Sequence, residues 1–135
     1  MCLPVAFALG GGQRSAATAF TDAERAQIDT TVARAVDSGI PESILRERID
    51  EGVAKGADAR QIIQAVEERI RYMEESRNLL DSVDGGQRIR SDQAAWAWTA
   101  IMLEAGVPTE EIREIIGVSL DSDRPSDYRN ATTAF

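Results

Sequence analysis

Carboxylates are the most numerous reactive groups in this 135-residue chain, with 23 Asp and Glu against 15 basic residues and a net charge of −8. Glu67, Glu68, Glu74 and Glu75 crowd into one stretch. Glycoside hydrolysis would need two such carboxyls facing each other across a cleft. Interspersed with Arg69, Arg71 and Arg77, these four read instead as the wet side of a helix. The chain has no His, which removes the commonest general base and metal ligand. Its one cysteine, Cys2, allows neither an intrachain disulfide nor a structural zinc site. The acidic residues lack the spacing of a calcium loop. Gly10-Gly11-Gly12 follows no strand and precedes no Gly-Lys-Ser/Thr, so it is not a phosphate loop. Asn130-Ala131-Thr132 is a glycosylation sequon by pattern alone. The expectation is a non-enzymatic protein with no catalytic, cofactor-binding or metal-binding residue and no cofactor.

Recognition chemistry is easier to place. Trp96 and Trp98 are two residues apart, hence about 200° apart on a helix. Trp98 shares a face with Ile101, Met102 and Ala105 and is assigned to the core. Trp96 shares a side with Leu103 and is assigned to a partner contact, since aromatic anchors carry much of the energy of interfaces. Tyr72 completes this candidate set of Trp96, Leu103 and Tyr72. The expected partner is a protein, in the groove between neighbouring helices. The negative charge argues against nucleic acid, whose phosphates need clustered Lys and Arg. Of the basic residues only Lys55 is not Arg, a bias matching a GC-rich coding sequence.

No segment has the ~20 consecutive apolar residues of a membrane-spanning helix. The N-terminal "CLPVAFALGGG" is a short apolar run, and Ala17-Thr18-Ala19 after it has the small-x-small form of a signal-peptidase site. No Lys or Arg precedes the run, and Arg14 lies just before the cleavage motif. Residues 1–20 are therefore read as a signal-peptide-like or disordered arm. The expected location is periplasmic or secreted, with the cytoplasm as the alternative.

The elements that would position these residues are all helical. Thr21 with Glu24 forms a capping box, and Ile28, Val32, Ala35 and Val36 repeat on one face as far as Gly39. A second helix opens at Pro41 with the stripe Ile44, Leu45, Ile49 and Val53; Gly52 within it marks a close approach or an early end. A third opens at Asp58, with Gln61 closing a second capping box. Its stripe of Ile62, Val66, Ile70, Met73 and Leu80 predicts a helix of ~25 residues, about 37 Å long, to Gly85-Gly86. "QAAWAWTAIMLEA", from Ser91 or Asp92, is apolar nearly all round and predicts a central buried helix. A fifth, after Pro108, points Ile112, Ile115 and Ile116 inward. The helical domain is placed at residues 21–119, with 120–135 a loop or the start of a further helix.

One turn recurs: Gly39-Ile40-Pro41, Gly56-Ala57-Asp58 and Gly106-Val107-Pro108. A Gly just past a helix end takes positive φ and closes the last carbonyls, and the apolar residue after it packs on the helices it joins. Gly39 and Gly56 are 17 residues apart, and Gly56 to Gly106 is close to three such steps. The expected fold is all-α: five to six helices joined by tight Gly-(Ile/Val)-Pro turns, as an irregular bundle or short α-solenoid.

The segment "RIDEGVAKGADARQIIQAVEERIRYMEESRNLL" with its flanking "SGIP" resembles a group of uncharacterised bacterial helical-repeat proteins, many of them exported, that carry "GVP" turns and an "EGxAKG" segment. Here that segment is Glu51, Gly52, Ala54, Lys55 and Gly56. The resemblance covers about Ala33 to Pro125. It implies a helical fold and transfers no activity. The chain departs from the pattern at Ala57-Asp58, where Val-Pro is usual. "LEAGVPTEEIREIIGVS" is also similar to the C-terminal helix pair of tyrosine recombinases and to helix-turn-helix modules, with Tyr128 near the position of a recombinase nucleophile. Those enzymes need His and Arg partners. Trp96 and Trp98 stand where an HxxR would fall, so the likeness reads as a shared way of turning between helices. DNA binding or regulation by a helix-turn-helix is the alternative function.

Overall fold

The computed structural model describes residues 20–121. They form six α-helices and no strand: α1 (Asp22–Asp37), α2 (Glu42–Ala54), α3 (Ala59–Asp81), α4 (Gly86–Arg90), α5 (Gln93–Glu104) and α6 (Thr109–Asp121). The fold is all-α. The expectations on Cys2, Gly10 to Gly12, the cleavage motif, Tyr128 and the Asn130 sequon lie outside the described residues. The chain divides into two compact units between Glu67 and Glu68, inside α3.

The first unit holds α1, α2 and the start of α3. Thr21 Oγ1 accepts from the Glu24 amide at 3.1 Å while the Glu24 carboxylate accepts from the Thr21 amide at 2.8 Å, completing the first capping box. Asp58 and Gln61 do the same at 2.8 and 3.0 Å. Ile28, Val32, Ala35, Ile40, Ile44, Leu45, Ile49, Ile62 and Val66 are buried. Val36, expected on the inward stripe, is 38 % exposed, because it lies at the edge of that stripe. Gly52 is a close approach: a Cβ there would sit 2.8 Å from Ile62 Cγ1.

The second unit holds the rest of α3 with α4, α5 and α6. Met73, Leu80, Ile89, Ala95, Ala100, Ile112 and Ile116 are fully buried. Helix α3 stops at Asp81, four residues before the expected Gly85, and α4 is an additional short helix. The break is enforced at Gly86. A Cβ built there would lie 1.9 Å from the Leu80 carbonyl oxygen, so the backbone folds back onto the end of α3 where only hydrogen fits. Gly85 precedes it with φ 78°. Two adjacent glycines read as a helix end in sequence; the close return needs tertiary geometry. Helix α6 runs to Asp121, two residues beyond the expected domain limit.

The recurring turn is a Schellman motif in all three copies. Gly39, Gly56 and Gly106 have φ of 95°, 74° and 83°. Their amides donate to Val36, Val53 and Leu103 carbonyls at 2.9–3.0 Å, and the next amides, of Ile40, Ala57 and Val107, reach Ala35, Gly52 and Met102 at 2.9–3.1 Å. The buried hydroxyls among the described residues are likewise satisfied locally. Thr31, Ser76, Thr99 and Ser119 each donate to a carbonyl three or four residues back on the same helix, which offsets the cost of burying them.

Candidate functional site on the tryptophan helix

Helix α5 is capped by Asp92, whose carboxylate accepts from the Ala94 and Ala95 amides at 2.9 and 3.2 Å. Such a cap satisfies amides that no helical carbonyl can reach. The helix is then fixed in rotation by Trp96. Its indole N–H donates to the Met73 carbonyl on α3 at 3.0 Å, and the residue is 6 % exposed. Ala95, Thr99 and Ala100 beside it are fully buried.

This corrects the assignment of faces. Trp96 was expected at a partner surface and is a core residue; Trp98 was expected in the core and is half-buried. The reason lies in the ring nitrogen. On a helix apolar all round, periodicity does not choose a face. A buried indole needs an acceptor, and α3 supplies one to Trp96. Of the other two candidate contacts, Leu103 and Tyr72 are both half-buried. Tyr72 follows Arg71, whose guanidinium lies 4.4 Å from the centre of the Tyr72 ring, a cation–π contact.

Apart from Leu103 on the opposite side, the half-buried residues of α5 form one strip. Ala94, Ala97, Trp98, Ile101 and Glu104 are all half-buried, and at 100° per residue they fall within an arc of about 120°. Four are apolar. The fifth, Glu104, pairs with Arg69 of α3 at 2.9 Å, with side chains only 21 % and 13 % exposed. It is the most shielded ion pair among those described, the others having at least one side chain about 40 % exposed or more. The residues are 35 apart in sequence, so no local spacing announces the pair.

The acidic stretch on α3 does not converge on a cleft. Glu67, Glu68 and Glu75 are exposed and Glu74 is half-buried. Among the described residues no three His, Cys, Asp or Glu side chains are grouped to hold a metal ion. In the first unit, Ala26, Gln27, Thr30, Thr31, Arg34 and Ile63 line an open groove. The Thr30 and Thr31 hydroxyls there donate to the Ala26 and Gln27 carbonyls.

Four of the five "EGxAKG" residues, Glu51, Gly52, Lys55 and Gly56, have structural work at the end of α2. Glu51 accepts from Lys55 Nζ at 2.6 Å and Arg48 Nη1 at 2.9 Å. Gly52 admits Ile62, and Gly56 forms the turn. The Lys55 ammonium, and behind it the Arg48 guanidinium, holds the Glu51 carboxyl below its usual range. The Asp29 carboxylate, 3.0 Å from Arg46 Nη1, leads the contacts that raise the Arg46 guanidinium.

Comparison with known proteins finds no match among family models, curated proteins or solved structures. Among the described residues, no helix is long and apolar enough to cross a membrane.

Proposed function

We propose that this protein is a non-enzymatic helical interaction module that works outside the cytoplasm, with the half-buried strip of α5 as its contact surface. The observation that carries this reading is the strip itself: Ala94, Ala97, Trp98 and Ile101 are contiguous, apolar and incompletely covered. The buried side of α5 is formed by Ala95, Trp96, Thr99, Ala100 and Met102. An aromatic residue among small ones is the composition of a contact anchor, with a large area and little side-chain entropy to lose. Leu103, on the Trp96 side of α5, and Tyr72 on α3 are not part of this strip. The threefold Schellman turn supports a helical-repeat reading, and the resemblance to exported proteins with "GVP" turns supports the location.

The test compares the native chain with Trp98→Ser and Ile101→Ser, used as crosslinking baits in the native organism. Partners captured by the native chain and lost from both variants, with helicity unchanged, would support the reading. Equal capture by all three would remove the strip from consideration. Amino-terminal sequencing of the mature protein tests export; an intact Met1 in the cytoplasm would overturn it.

The helix-turn-helix alternative draws on α5, the Gly106 turn and α6. Glu110, Glu111 and Glu114 of α6 are exposed, and Arg113 is its one basic residue. The sign is wrong for a helix entering a phosphate-lined groove. Tight duplex binding with a steep salt dependence would reverse this choice.

A further inference from the structure

We draw no further inference here: the strongest candidate, the open groove along α1 lined by Ala26, Gln27, Thr30, Thr31, Arg34 and Ile63, has both threonine hydroxyls already bonded to helix carbonyls, and nothing in the structure shows what covers it.

Discussion

The indole N–H of Trp96 donates to the main-chain carbonyl of Met73 at 3.0 Å, across 23 residues of sequence. The Ser76 hydroxyl donates to the same oxygen at 2.8 Å. One carbonyl in the middle of α3 therefore gathers a local and a distant donor, and the distant one sets the rotation of α5.

Trp96→Ala is expected to cost about 3–5 kcal/mol, the range for a large aromatic deleted from a core. Trp98→Ala should cost clearly less, since its ring is only partly buried. Trp96→Phe removes the indole donor and part of the ring: the Met73 oxygen keeps Ser76, so the lost bond should contribute ~0.5–1.5 kcal/mol, with the smaller ring's packing loss added to it. Equilibrium denaturation of the three variants decides the order. Fluorescence gives a second check, because the chain has two tryptophans. Trp98→Phe should leave the blue-shifted emission of a buried indole.

Two glycines should respond in opposite directions to the same change. Gly86→Ala drives a methyl group to 1.9 Å from the Leu80 carbonyl oxygen. Neither backbone segment can yield without moving a helix, so the cost should reach or exceed ~3 kcal/mol. Gly117 lies inside α6 with nothing within 4 Å of a built Cβ. Gly117→Ala should stabilise by about 0.5–1 kcal/mol through the greater helix propensity of Ala. Thermal midpoints moving the same way in both would contradict the geometry.

Gly106→Val tests the turn. The φ of 83° is unfavourable for a β-branched residue, while the space around the position is empty. The expected loss of ~1–2 kcal/mol is thus conformational rather than a clash. For a domain of this size it should lower the midpoint by several degrees. An unchanged midpoint would mean that the turn relaxes to another type.

Arg69 and Glu104 should be energetically coupled. A double-mutant cycle through Arg69→Met, Glu104→Leu and the pair should give a coupling of ~0.5–3 kcal/mol. The same cycle on the exposed Arg46–Asp29 pair, with side chains 44 % and 61 % accessible, should give ~0.2–1 kcal/mol and weaken with salt. Part of the single-variant loss at Arg69 should return in the double variant, because replacing both ends of a shielded pair avoids leaving a charge behind.

Glu51 should titrate below ordinary glutamates. Its folded pKa is depressed by Lys55 and then by Arg48. A depressed carboxylate adds stability above its unfolded pKa, and that stability fades as pH falls through the folded value. Carboxyl chemical shifts followed by NMR should show the low titration. In Lys55→Met, which removes the chain's only lysine, Glu51 should move back toward the usual range. No movement would assign the shift to Arg48.

The sequence by itself determined five of the six helices and how three of them end. Capping boxes at Thr21 and Asp58 and glycines at 39, 56 and 106 act within a few residues of backbone, so residue types at fixed offsets suffice to announce them. It also determined that α5 is apolar all round. Tertiary structure decided which side of that helix is inside: Trp96 is buried with its indole N–H on the Met73 carbonyl, 23 residues away, while Trp98 is half-buried. It decided that α3 ends at Asp81 and folds back through Gly86, where the contact is with a carbonyl of the preceding helix. It also decided that Arg69 meets Glu104, a pairing that depends on α3 and α5 lying side by side rather than on any local spacing.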